Sequence, residues 1–116
     1  LPQEYRKAGQ PVLIGGSMGT ASWILAGAAG TEERAFGSAC HGAGRAMSRH
    51  AARRTMTPDA VYEEMARLGV SLHAGDRRAV AEEAAFAYKD IEAVMAASAS
   101  LVRPIRRLTP LGVVKG

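Results

Sequence analysis

Apolar residues fall in short runs early in the chain and take helical spacing later, so the pattern predicts strands and loops first and helices afterwards. Pro11-Val12-Leu13-Ile14 is an apolar run stopped by Gly15-Gly16, which predicts a buried strand entering a loop over Ser17 to Thr20. Ala21 to Gly27, with Trp23, Ile24 and Leu25 at its centre, predicts a second strand, and residues 27–37 a turn-rich connection. From Arg45 to about Arg54 there is no Gly or Pro, and Ala46, Met47, His50 and Ala51 offer a modest apolar side, which predicts a helix. Thr57-Pro58-Asp59 starts the next helix with a hydroxyl N-cap, a first-turn proline and a carboxylate at the positive end of the dipole. Val61, Met65 and Leu68 share its inner face, and Gly69 ends it. Val70 to His73 predicts a short strand before Gly75-Asp76. Ile91, Val94, Met95 and Ser98 mark a third helix over about Asp90 to Ser100, sealed by Leu101 and Val102. Pro104 and Pro110 forbid a continuous helix beyond Arg103, and Leu111-Gly112-Val113-Val114 predicts an extended tail that pairs with a sheet. These segments predict an α+β fold of short strands and about three helices.

With 116 residues and 47 % hydrophobic composition, the chain has material for one core and reads as a single domain over residues 1–116. Nothing in it reads as a signal peptide or a membrane span, and the opening Leu1-Pro2 without Met points to a processed or truncated chain. The lone Cys40 excludes an internal disulfide and fits a reducing compartment, so the sequence reads as cytoplasmic. The net charge of +4 conceals a block pattern. Residues 34–58 carry five arginines and no acid, residues 59–92 are acidic, and residues 93–116 carry Arg103, Arg106, Arg107 and Lys115 with no acid. Two basic blocks around an acidic one predict a local site for a polyanion such as a nucleotide or an RNA backbone.

Nine of the 13 glycines precede residue 46, which places the loops, and with them the chemistry, early in the chain. Gly15-Gly16-Ser17-Met18-Gly19-Thr20-Ala21-Ser22 offers flexible backbone N–H groups and three hydroxyls suited to phosphates or a ribose, although such turns between strands are more often structural. It carries neither a Walker pattern nor a GxGxxG fingerprint. Phe36 to Arg45 sets His41 among small residues. Spacing alone leaves His41 either structural or a nucleophile that faces phosphate. Adjacent Cys40 and His41 make a poor metal pair, so the sequence predicts no metal ligand. Arg45, Arg49 and Arg53 recur at helical spacing and form one basic stripe, and Arg45, beside His41, is the member placed to reach the same anion. His50 and His73 read as structural, and the five methionines as packing.

The first glycine loop, His41-Gly42-Ala43-Gly44-Arg45, Ala87-Tyr88-Lys89-Asp90 and the ending Arg107 to Gly116 occur in an order that resembles the RtcB family of RNA-splicing ligases. The likeness covers nearly all of the chain but only about the C-terminal quarter of a family member. It implies a GTP-dependent, Mn²⁺-dependent ligase. Such an enzyme joins RNA ends bearing a 3′-phosphate or 2′,3′-cyclic phosphate, tRNA halves among them, to ends bearing a 5′-hydroxyl. By the same resemblance His41 is the catalytic histidine that carries GMP. Gly15, Gly16, Ser17, Met18, Ser22, Gly42, Ala43 and Gly44 match guanylate-facing positions, and Lys115 matches a penultimate lysine that contacts guanine. Gly15 stands where the family usually has proline, and so does Ala85. The metal ligands belong to a preceding N-terminal region with no counterpart here, so the resemblance implies an inactive fragment that needs that region or a partner chain. The alternative class is a non-catalytic nucleotide- or RNA-binding module, or one half of a split protein.

Overall fold

A computed structural model describes residues 2–116; Leu1 lies outside the described residues. It is an α+β fold with five α-helices, two 3-10 turns and two small sheets among those residues. Strand β1 (Pro11–Ile14) pairs antiparallel with β2 (Ser22–Gly27), as the apolar runs predict. The other edge of β2 takes β4 (Val102–Leu108), giving the order β1-β2-β4. A strand there departs from the sequence reading, which took Val102 as the seal of a helix and read no strand across Pro104. The proline is tolerated because β4 pairs on one side only and Pro104 adjoins a register shift between Ile24 and Leu25. Parallel strands β3 (Ser71–Ala74) and β5 (Gly112–Lys115) form the second sheet, so the tail pairs as predicted.

Helix α2 (Thr31–Ala35) lies within the predicted turn-rich connection, and a second short helix, α1 (Tyr5–Ala8), precedes β1. The predicted helix over residues 45–54 is shorter. Helix α3 runs Arg49–Thr55, capped by the Ser48 hydroxyl, which accepts from the Ala51 N–H at 3.1 Å. Arg45 therefore does not open a helix. It follows Gly44 (φ 76°) and forms an isolated antiparallel bridge with Tyr88.

Helix α4 (Pro58–Arg67) obeys its sequence signals. Thr57 caps the Ala60 N–H and Pro58 sits in the first turn. At its end Gly69 (φ 73°) donates to Ala66 O, while Val70 donates to Met65 O, a Schellman closure that brings Val70 onto Met65. Val61 and Met65 are buried, but Leu68, the third residue of the predicted face, is half exposed at the cap. Helix α5 (Ile91–Ala97) is capped by Asp90.

The apolar residues form two clusters. Ile14, Leu25, Ala43, Ile91, Met95 and Val102 join the three-stranded sheet to α5. Met18, Val61, Met65, Val70, Leu72 and Val80 join α4 to β3 and the 3-10 turn Arg77–Glu83. The molecule is elongated, 48 × 25 × 22 Å. The first glycine loop bridges the two clusters, since Ile14 enters it from one cluster and Met18 leaves it into the other.

Candidate functional site

The glycine loop and the histidine loop are laced together through their backbones. The Gly15 N–H donates to His41 O at 3.2 Å and the Ala43 N–H donates to Gly15 O at 2.9 Å, a one-residue parallel bridge between Gly15 and Gly42. Proline at position 15 could not make the first of these bonds. Buried Ile14 and Ala43, one on each side of the bridge, anchor it in the sheet cluster and leave His41 at the surface. The His41 side chain is exposed and has no protein hydrogen-bond partner among the described residues. It lines a cleft of about 740 Å³ shared with Arg6, Lys7, Thr31, Cys40 and Arg103.

Within the first loop the hydroxyls bond inward. Thr20 Oγ1 accepts from the Ser17 N–H at 2.8 Å and lies 3.0 Å from Ser17 Oγ, and Ser22 Oγ accepts from the Gly16 N–H at 3.2 Å. The Met18 side chain is only 7 % exposed and packs in the α4 cluster, so it serves the fold. Ser17 and Ser22 remain partly exposed.

The rest of the site is strung along the chain of motifs. The Lys89 N–H donates to Gly44 O at 2.9 Å and the Ala46 N–H to Ala87 O at 2.9 Å, so the Tyr88 segment lies against the histidine loop. The Arg45 guanidinium lies over the Tyr88 ring at 4.9 Å, and its Nη1 donates to Tyr88 Oη at 3.3 Å. Tyr88 Oη donates to Glu83 Oε2 at 2.6 Å. Lys115 Nζ stands 3.6 Å from the same oxygen, beside a smaller cleft of about 240 Å³ that Asp76, Glu82 and Gly116 also line. His41 and Lys115 thus open onto different clefts, and the first loop lines neither.

The arginine stripe is not free for a polyanion. Arg53 Nε pairs with Glu82 at 2.6 Å, Arg49 lies 3.9 and 4.0 Å from Glu82 and Glu83, and Arg45 lies 3.8 Å from Glu83. Arg45 is the most committed of the three, its Nε donating to Met47 O at 3.1 Å. These two glutamates were missed by sequence reasoning. The available signal was the acidic block itself, whose neighbour in sequence is the +5 block and whose role is to neutralise it.

Burial works to raise the Glu83 pKa, but the Tyr88 hydrogen bond and the charges of Lys115, Arg45 and Arg49 outweigh it and hold the carboxyl below its ordinary 4.5. Burial, followed by the bond to Glu83 and its charge, pushes Tyr88 above 10.0. Glu83 therefore contributes stability that is complete above 4.5 and lost as pH falls through its lower folded value. Tyr88 contributes stability that is complete below 10.0 and lost as pH rises through its higher folded value. Thermal midpoints should decline in both directions from a neutral plateau, and Tyr88→Phe should remove the alkaline part attributable to this phenol. An unchanged alkaline limb in Tyr88→Phe would contradict the pairing.

No group of three or more His, Cys, Asp or Glu side chains that could hold a metal ion occurs among the described residues. Cys40 Sγ is instead 3.3 Å from Ser98 Oγ, against the sheet cluster. No helix among the described residues is long and apolar enough to cross a membrane.

A sequence profile of the family described as tRNA-splicing ligase RtcB matches residues 1–116. The chain is 48 % identical over 118 aligned positions to the tRNA-splicing ligase RtcB of Pyrobaculum aerophilum, covering all of this chain and 24 % of that protein. It is 48 % identical to the RNA-splicing ligase RtcB of Mycobacterium tuberculosis, covering 27 % of it. It is 46 % identical to RNA-splicing ligase RtcB homolog 1 of Entamoeba histolytica, covering 22 % of that protein. The chain spans about a quarter of the length of these curated relatives. Matched along its whole length by the profile and by relatives from three distant organisms, the chain belongs to the RtcB family of tRNA-splicing ligases.

Proposed function

We propose that this chain is the guanylate-accepting part of an RtcB-type RNA ligase and joins RNA ends only together with the remaining three quarters of the fold. The ends would be a 3′-phosphate or 2′,3′-cyclic phosphate on one strand and a 5′-hydroxyl on the other, as in tRNA halves or broken RNA in the cytoplasm. The observation that carries the reading is the bridge between Gly15 and Gly42, which clamps the glycine loop onto the backbone of an exposed histidine.

In the proposed cycle an imidazole nitrogen of His41 attacks the α-phosphorus of GTP; a P–N bond forms and pyrophosphate leaves. The RNA 3′-phosphate then takes GMP from His41 as the P–N bond breaks. The 5′-hydroxyl attacks the activated 3′-phosphorus, forms the new phosphodiester and releases GMP. Dividing one difficult displacement into easier ones is what a covalent nucleophile contributes. Gly42, Ala43 and Gly44 let phosphate approach the backbone, Gly15 and Gly16 shape the first loop beside His41, Ser17 and Ser22 offer their partly exposed hydroxyl groups, Met18 holds that loop in the core, and Lys115 reaches the guanine. Mn²⁺ would supply charge neutralisation and oxygen orientation. The described residues do not fit it, since they hold no ligand cluster, so its ligands belong to the remainder of the enzyme and no step is routed through it.

The test is covalent labelling. With labelled GTP and Mn²⁺ the chain alone should form no acid-labile, alkali-stable GMP adduct. Adding the N-terminal three quarters of a relative in trans should produce one. Efficient labelling of the chain by itself would overturn the dependence on that remainder. A mixture that stays inert while the chain binds RNA with a steep salt dependence would replace the ligase reading with a binding module.

A further inference from the structure

The proposed cycle leaves the Tyr88-Lys89-Asp90 motif, Arg45 and the acidic residues before the motif without a task. They meet at Glu83. One oxygen of its carboxylate accepts from Tyr88 Oη at 2.6 Å and lies 3.6 Å from Lys115 Nζ; the other lies 3.8 Å from Arg45 Nη1 and 4.0 Å from Arg49 Nε. We propose that Glu83 is a positioning residue for the nucleotide: it holds the Lys115 ammonium in place on one side while fixing the Arg45–Tyr88 pair on the other. The proposal rests on the reading of Lys115 as the guanine-facing lysine.

Lys115 needs such a partner. It lies on a strand paired along one edge only, with β5 neighbour Val114 and nearby Leu111 both more than four-fifths exposed. A lysine there has a flexible four-carbon stem, and fixing it costs side-chain entropy. If that cost falls at the moment of ligand binding, affinity drops; if an existing ion pair has already met it, affinity is kept. Glu83 is the carboxylate paired with Lys115 among the described residues. It can hold a lysine because Tyr88 fixes its own orientation, and because its 3-10 turn is seated by buried Val80 and Ala81.

Arg45, Arg49, Arg53 and Lys115 pair with Glu82 and Glu83, and Asp76 adds a third carboxylate at the same cleft. A purely structural ion pair needs one cation for its carboxylate. Here one carboxylate is shared by Arg45 and Arg49 of the arginine stripe and by Lys115 of the last strand, and Lys115 is the one of these cations that lines the 240 Å³ cleft.

The experiment is GTP titration of His41 labelling in the complemented mixture. Glu83→Gln should raise the half-saturating GTP concentration by roughly tenfold or more while the maximal labelling level stays within about twofold. Lys115→Ala should do the same, and the double variant should be little worse than either single one, because both remove the same held ammonium. Glu83→Asp, which keeps the charge on a shorter arm, should fall between wild type and Glu83→Gln and serves if the latter does not fold. Glu63→Gln, at a surface pair with Arg67 far from the network, should change nothing. A half-saturation for Glu83→Gln or Glu83→Asp equal to wild type, or strictly additive effects with Lys115→Ala, would overturn the proposal. If the wild-type mixture forms no adduct, it is the ligase reading that fails, and the chain alone then decides the role of Glu83. The Lys115 side-chain methylene NMR signals, shifted when the ammonium is held, should collapse to free-lysine positions in Glu83→Gln, and an unchanged spectrum would overturn it.

Discussion

His41→Ala in the complemented mixture is expected to lower covalent GMP labelling by at least about 1,000-fold, because the proposed cycle forms its P–N bond on His41. His50→Ala and His73→Ala should keep labelling within about twofold. The contrast follows from where the three histidines sit. His50 is exposed on α3, and His73 is exposed on β3 with its Nε2 3.1 Å from Ser71 Oγ, so neither lies on the bridged loops. His41 is held by its backbone carbonyl, which any residue supplies, while its side chain has no protein hydrogen bond to lose. The alanine variant should therefore melt within a few degrees of wild type while losing the adduct. A large fall in melting temperature would show instead that the imidazole supports the fold, and retained labelling would remove it from the proposed chemistry. Gel-resolved labelling beside a thermal scan on the same protein separates these outcomes.

What could be read in the sequence was what local chemistry decides. The strand Pro11–Ile14, the Thr57-Pro58 start and the Gly69 stop all depend on neighbours within a few residues, and each lies where its signal puts it. Arg45 to Ser48 went the other way. Helix-forming residues were overruled by a bridge to Tyr88, a partner 43 residues away, and by a Ser48 hydroxyl that starts the helix later. Strand β4 was missed for a related reason: an exposed, arginine-rich strand with an internal proline shows neither alternation nor β-propensity, and it exists because β2 has a free edge to fill. The arginine stripe was legible as a spacing but not as a set of ion pairs, since Glu82 and Glu83 come to it through the packing of a 3-10 turn on α3.

The candidate site divides along the same line. Small residues around His41 could be seen, and the resemblance joined them to the first loop and to Lys115. The contact that laces the two loops is between backbone groups, and backbone contacts leave no mark in residue type except permissiveness for glycine. Glu83 left no mark either. Its importance comes from the number of groups that converge on it, and those come from the histidine loop, the Tyr88 segment and the last strand.

Gly16→Ala should be the most damaging single-methyl change in the site. A β-carbon on Gly16 would fall well inside contact distance of the Ala21 carbonyl oxygen and 2.6 Å from Thr20 Oγ1. Thr20 cannot turn away without giving up its bonds to Ser17, and Ala21, only 3 % exposed, leads straight into the central strand β2. The loop must therefore move rather than its neighbours. Overpacking of this kind costs about 1–3 kcal/mol, and displacing Ser17 by about 1 Å is enough to cost roughly 100-fold in a positioned reaction. In the complemented mixture Gly16→Ala should lower both the melting temperature and the rate of GMP labelling by those amounts. The neighbouring glycine supplies the contrast on stability. A β-carbon on Gly15 would have only His41 O near it, at 3.9 Å, and the Gly15 N–H would keep its bond to that oxygen. Gly15→Ala should thus melt within about 0.5 kcal/mol of wild type. Equal destabilisation of the two variants would contradict crowding at Ala21 as the source of the cost, since the lost glycine entropy of the unfolded chain acts the other way.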